Sequence, residues 1–267
     1  MKAIREAYGD ALVEMGAKYS DLVVLDADLC HATSSIKFAD AYPERFINTG
    51  IAEQNLYCIS AGLAHSGFKP YASTFALFAA GRAYEQIRNS ICYSNANVKI
   101  VVSHAGITAC GDGGSHQAIE DIALMRAIPN IKILCPCDYN QAKNMIMQSY
   151  DIEGPVYIRM SRPPVPTITE EKTKVDITKA QVMRDGTDIC LVATGIMVAP
   201  CLEAARSLEE QGISTAVINI HTIKPIDDGT LLQYAKKCST MLTVEEHSII
   251  GGLGSAVTDV IMGKVNI

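Results

Sequence analysis

The chain has no tryptophan and only five phenylalanines in 267 residues, so two phenylalanines close together carry weight. A basic patch is also missing. Twenty-three Lys and Arg stand against 29 Asp and Glu, for a net charge of −6, with no local Lys/Arg cluster. That excludes the electrostatic footprint of a nucleic-acid binder. No long hydrophobic run occurs. The longest, over 189–202, is interrupted by Thr194, Gly195 and Pro200 and is too short to span a bilayer. The first residues, Met1-Lys2-Ala3-Ile4-Arg5-Glu6, lack the apolar core of a signal peptide. A soluble, cytoplasmic protein with no membrane partner is expected. Nine cysteines, an odd number without a repeating framework, read as reduced and mostly buried thiols. Cys135-Pro136-Cys137 has no second pair and follows an apolar run, so it reads as structural, and no Cys/His spacing matches a zinc site.

What the chain does have is alternation. With 48% apolar and 19% charged residues it is built to pack, and its length suits two α/β domains. Short β-branched runs over 22–25, 98–102, 131–134 and 156–158 read as buried strands. Segments over 3–19, 54–66, 75–93, 117–127 and 139–150 read as helices between them. This order predicts a mostly parallel sheet covered on both faces. Pro163, Pro164 and Pro166 open a linker over 161–176. The alternation then resumes with strands over 189–193, 215–220 and 241–244, helices over 198–211 and 227–237, and a last helix opened by Gly251-Gly252-Leu253-Gly254-Ser255. The expectation is two three-layer α/β domains, residues 1–168 and 169–267.

Open parallel sheets gather ligands beyond the carboxyl ends of their strands. There the sequence places Asp28, His104, Asp112, His116 and Arg162, with Glu53 opening a helix nearby. Alone, Glu53 after Ile51-Ala52 suits an acid favoured by a helix dipole or a semi-buried carboxyl sharing a proton with a ligand nitrogen; spacing alone favours the former. Phe75 and Phe78, three apart, suit either a core pair or a platform for a flat heteroaromatic ligand. Either histidine alone reads as a satisfied loop residue. Two histidines and an aspartate on the glycine-rich stretch beyond one strand end, Ser103-His104-Ala105-Gly106 followed by Gly111-Asp112-Gly113-Gly114-Ser115-His116, are less easily explained that way.

Taken in order, Asp26-Ala27-Asp28-Leu29, Gly50–Asn55, Pro70–Phe75, Gly111–Glu120, Met160-Ser161-Arg162 and Val192-Ala193-Thr194-Gly195 resemble the transketolase family over nearly the whole chain. The resemblance implies a pyrimidine-binding domain followed by the family's C-terminal domain, which ends early here. The diphosphate-binding domain would be supplied by an N-terminal partner subunit, with the cofactor thiamine diphosphate shared between the two. Glu53 would hydrogen-bond the pyrimidine ring nitrogen, with Phe75, Phe78, Asp28 and Ile51 around the cofactor. Gly81 stands where the family often has a further aromatic. His104 and His116 would move protons on substrate oxygens. Asp112 would bind a hydroxyl, and Arg162 would clamp the sugar phosphate. Arg5 matches a second phosphate-binding arginine, although a solvated helix charge explains it equally well. Gly111-Asp112-Gly113 with Asn140 imitates a diphosphate and metal signature, yet its register with His104 and His116 fits the pyrimidine domain. No metal ligand is therefore expected in this chain, and Mg2+ or Ca2+ would be held by the partner.

The implied activity is transfer of a two-carbon ketol unit between sugar phosphates in the pentose phosphate pathway, by a heterotetramer. The same architecture serves deoxyxylulose-phosphate synthase and the β subunits of 2-oxo acid dehydrogenases. A non-catalytic scaffold is a further alternative, against which the joint presence of Glu53, Phe75, His104, Asp112 and His116 argues.

Overall fold

The computed structural model describes residues 1–171 and 174–265. Residues 172–173 of the expected linker, and residues 266–267 at the end of the expected second domain, lie outside the described residues. The fold is α/β, as the alternation predicts.

A seven-stranded sheet runs in the order Thr222–Lys224, Lys132–Leu134, Val156–Arg159, Lys99–Ser103, Lys69–Phe75, Leu22–Asp26, Phe46–Asn48. All neighbours are parallel except Thr222–Lys224. Side chains alternate across a strand, and both faces here are covered. Leu22 and Val24 therefore pack with Tyr8, Leu12 and Tyr71 on one face. Val23 and Leu25 pack with Leu56, Ala72 and Ile100 on the other. Fully burying such a side chain contributes about 1.5–3 kcal/mol, so the strand Leu22–Asp26, buried at all five positions, anchors the sheet.

A second sheet is ordered Thr240–Val244, Ile189–Ala193, Thr215–Asn219, Gln181–Arg184, the last antiparallel. Its Cys190, Val192 and Ile218 belong to the same core cluster as Val23 and Leu25, so one apolar core runs through both sheets. Among the described residues, no helix is long and apolar enough to cross a membrane.

Three departures from the sequence expectation bear on the site. The strand Lys69–Phe75 keeps its ladder through Phe75, opposite Ser103, so Phe75 ends a strand instead of starting a helix. The chain beyond it does not form one α-helix over 75–93. Two π-helical stretches, Phe78–Arg82 and Ile87–Tyr93, flank a short α-helical piece, Tyr84–Gln86. The helix expected over 117–127 shrinks to Asp121–Arg126. Ala118 is held in a bridge to Ala105 and accepts from the Gly106 amide, and this extended pairing is incompatible with a helical turn. The strands Phe46–Asn48, Gln181–Arg184 and Thr222–Lys224 are too short and too mixed to stand out in the sequence. Thr222–Lys224 comes after the second sheet's Thr215–Asn219 in the chain, yet it joins the first sheet at Lys132–Leu134.

Candidate functional site

The carboxyl ends of Leu22–Asp26, Lys69–Phe75, Lys99–Ser103 and Val156–Arg159 converge on one rim of the seven-stranded sheet. A cavity of about 410 Å³ opens there, bounded by Asp28, Ile51, Glu53, Phe78, Arg82 and His116 among others. A larger cleft, about 570 Å³, runs along Thr240–Val244 at the far sheet edge. Its acid Glu245 already accepts from the amides of Leu253 and Gly254 at a helix start, and the ring nitrogens of its His247 lie against the Ser248 carbonyl oxygen and the Ala123 amide, so among the described residues the smaller cavity is the stronger candidate site.

Glu53 begins the helix Glu53–His65 and is 1% exposed. Both its oxygens accept from a single nitrogen, Nη1 of Arg82, at 2.9 and 2.8 Å. The Arg82 guanidinium also lies 4.5 Å from the ring centroid of Phe78. A planar, nitrogen-bearing cation of the chain itself thus occupies the slot with two contacts, a carboxylate and an aromatic face. One turn further along the Glu53 helix, the Tyr57 hydroxyl is buried and unpartnered among the described residues, and burial, then the Glu53 charge, push its pKa well up. Gly81 faces open space, and its neighbour Arg82 has no role in the sequence expectation. A π-helical stretch at a strand end, often found at functional sites, is the signal that would have drawn attention to Arg82, but a π turn has no sequence pattern of its own.

Phe75 is 6% exposed and is sandwiched, with His104 at 3.9 Å and Phe78 at 5.8 Å between ring centroids. Phe75 does not line the cavity, contrary to its expected place beside a ligand; it stacks behind the half-buried Phe78, which forms the wall. His104 sits just past the strand Lys99–Ser103 in the left-handed region, φ 57°. Its Nδ1 is 2.9 Å from Ser103 Oγ, which leaves Nε2 facing Asp112 at 3.8 Å. Burial, then the positive charge of Arg5, lowers the His104 pKa to about 4, so the ring is neutral near pH 7. His116 meets the Phe78 ring edge-on at 5.2 Å, and its Nδ1 is 3.0 Å from Ser115 Oγ.

Asp28, also in the left-handed region, accepts from Asn48 Nδ2 at 3.0 Å on the cavity rim. Ile51, 76% exposed, caps the mouth. Arg5 donates to the Ala32 carbonyl oxygen at 3.3 Å. Arg5 and Arg162 both act electrostatically on His104, so the two cations share its end of the site. Arg162 packs against Gly111, where an added Cβ would lie 3.5 Å from its Nη1. Its Nε is buried and has no hydrogen-bond partner among the described residues. Asn140 donates to the Thr169 carbonyl oxygen at 2.8 Å and takes no part in this cluster.

Under the strand end, Asp26 accepts from the Leu29 amide and from the hydroxyls of Thr33 and Ser35. Burial still wins over these bonds and raises its pKa to about 6. The network fixes the turn that presents Asp28.

The model of the transketolase pyrimidine-binding domain matches residues 1–167, and that of the transketolase C-terminal domain matches residues 178–266. A putative transketolase C-terminal section from Methanocaldococcus jannaschii is 48% identical, covering 97% of this chain and 82% of that one. A 6-deoxy-6-sulfo-D-fructose transketolase subunit from Clostridium sp. (strain MSTE9) is 41% identical, covering 96% and 80% respectively. Among solved structures, a split-gene transketolase described as an inactive β4 tetramer superposes with a TM-score of 0.92 at 49% identity. It covers 100% of this chain and 87% of that one.

Proposed function

The chain belongs to the transketolase family, and from that membership and the slot at Glu53 we propose that it is the C-terminal subunit of a two-chain, thiamine-diphosphate-dependent transketolase. In this reading it moves a two-carbon ketol unit between sugar phosphates. An N-terminal subunit supplies the diphosphate site and its Mg2+ or Ca2+, and the two chains pair as a heterotetramer. The observation that carries the reading is the Arg82 guanidinium, held by Glu53 and stacked on Phe78. An aminopyrimidine ring asks for the same two contacts, a carboxyl to bond its nitrogen and an aromatic face to lie on. Among the described residues, the lining includes the carboxylates of Asp28 and Glu53, with Arg82 as its one permanent cation, which suits a ring better than a diphosphate.

When bound, thiamine diphosphate supplies the nucleophilic carbon that carries the transferred unit. The chain's own groups do the rest. Glu53 shares a proton with the ring nitrogen, which requires Arg82 to swing away. The Arg82 side chain is 48% exposed, so it has a path to solvent. Phe78 supports the ring, and Asp28 and Ile51 border it. His104, neutral and presenting Nε2, and His116 hold and move protons at the substrate's hydroxyl and carbonyl oxygens. Asp112 accepts a hydroxyl hydrogen bond. Arg162 and Arg5 offer positive charge to the phosphate, and the unpartnered Nε of Arg162 has a donor to spare.

The test is reconstitution with an N-terminal subunit, thiamine diphosphate, xylulose 5-phosphate and ribose 5-phosphate. Ketol transfer is expected, and Glu53→Ala is expected to abolish turnover while the assembly survives. Pyruvate decarboxylation in its place would move the chain to another thiamine enzyme class. An unchanged rate in Glu53→Ala would reject the role of Glu53.

A further inference from the structure

We infer that Glu246, which comes after the second sheet's strand Thr240–Val244, is a positioning residue for the phosphate-binding end of the site, a role that rests on the ketol-transfer reading above. Its side chain leaves the C-terminal domain and inserts beneath the loop that carries Asp112. It is 7% exposed, and both carboxylate oxygens are engaged across the domain boundary. Oε1 accepts from the Thr108 amide at 2.6 Å, and Oε2 accepts from Ser161 Oγ at 2.9 Å. The backbone carbonyl of Glu246 accepts from Arg159 Nη2 at 2.9 Å, and Arg159 is itself locked to Asp121. The fit leaves no slack. A Cβ on Gly106 would lie 2.2 Å from Glu246 Cδ, and Gly106 has φ +79°, so glycine is needed there on both counts.

The two hydrogen bonds land next to the groups assigned to substrate. Thr108 lies in the 3-10 turn Ile107–Asp112, whose end carries Asp112, 3.8 Å from His104 Nε2. The same turn carries Gly111, against which the Arg162 guanidinium packs, and Ser161 immediately precedes Arg162. One carboxylate therefore fixes Asp112 and Arg162 relative to each other. Among the described residues, the hydrogen bonds of Glu246 go to Thr108, Ser161 and Arg159, and none reaches Glu53 at the other end. This gives the C-terminal domain a specific task in substrate recognition, separate from cofactor binding. A small misplacement of a substrate-clamping arginine costs binding well before it costs the fold.

The test compares Glu246→Ala, Glu246→Gln and Ser161→Ala in the reconstituted pair, with hydrogen exchange measured on the full-length free chain. Glu246→Ala is expected to raise the KM for the sugar phosphate roughly tenfold, with kcat and thiamine diphosphate half-saturation within about twofold. Glu246→Gln should restore KM to within about threefold, because its oxygen can accept from the Thr108 amide and its NH2 can donate to the Ser161 hydroxyl. Ser161→Ala, which removes one contact, should fall between. In the free chain the Thr108 amide should exchange faster in Glu246→Ala and at the parent rate in Glu246→Gln. Loss of KM, kcat and cofactor saturation together, or a glutamine variant no better than alanine, would reduce Glu246 to a fold brace and overturn the inference. If the parent pair performs no ketol transfer, the functional reading fails by itself. Parent-like Thr108 exchange in Glu246→Ala would then overturn the positioning role as well.

Discussion

The two ends of the candidate site, the Glu53 cavity and the buried His104 cluster beside it, are built differently. At the His104 end the chain supplies every support from within itself. Ser103 orients the imidazole, Glu246 holds the Thr108 turn, and the buried Asp121–Arg159 pair secures the strand end beneath. At the Glu53 end the support is provisional. Among the described residues, the cation on the buried carboxyl is Arg82, whose side chain is half exposed, and Ile51 stands 76% exposed at the mouth. Under the two-chain reading proposed above, this asymmetry is what a shared site would need: groups proposed to read the substrate are set before assembly, and groups proposed to meet the cofactor stay free to rearrange until a second surface covers them.

The strongest way to break this comparison is to remove the brace at the rigid end. Asp121 and Arg159 are 0% and 2% exposed, and Tyr157 also donates to Asp121 at 2.9 Å. Asp121→Ala leaves a buried guanidinium without its counter-charge and should cost about 3–5 kcal/mol in urea unfolding. A loss under about 1 kcal/mol would show that this end is no better fixed than the other.

Arg82→Met probes the open end, and its effect on the fold should be smaller. Shortening a half-exposed side chain lets water reach Glu53, so the loss of stability should be about 1–2 kcal/mol. In the assembled enzyme, half-saturation with thiamine diphosphate should fall several-fold, because no guanidinium has to leave the slot before the ring enters. Weaker cofactor binding in Arg82→Met would make Arg82 a cofactor ligand instead of a stand-in, and the open end would then be no less preorganised than the closed one.

The sequence shows the parallel sheet and the grouping of strand-end residues because both arise from local pattern. Leu22-Val23-Val24-Leu25 announces a strand buried on both faces, and the loops after such strands are where ligands bind. The residues that complete the site are set by long-range geometry instead. Arg82 reaches Glu53 across 29 positions through a π-helical stretch that mimics an ordinary helix in sequence. Glu246 reaches Thr108 across 138 positions and the boundary between two sheets. Phe75 is legible as one of an aromatic pair, but its place in the sandwich with His104 depends on the strand continuing one ladder pair beyond Thr74.

The subtlest difference between the two ends lies in their response to acid, where two buried groups pull in opposite directions. Asp26, under the Asp28 turn, has its pKa raised from 3.8 to about 6, so the folded state holds its proton more tightly than the unfolded chain. Its contribution is complete below pH 4 and is lost as pH rises through about 6. His104 has its pKa lowered from 6.5 to about 4, so the unfolded chain binds the proton first. That contribution is complete above pH 6.5 and is lost as pH falls through about 4, and buried His221, lowered likewise, adds to it. At 1.36 kcal/mol per pKa unit, Asp26 and His104 are each worth at most about 3 kcal/mol, so they largely offset in the parent protein. Single variants should expose them. The unfolding free energy of Asp26→Asn relative to the parent should rise between pH 4 and 6, and that of His104→Gln should rise as pH falls from 6.5 to 4. Slopes of the same sign in the two variants would mean that one of the two groups is shifted the other way, and the contrast between the two ends would fail.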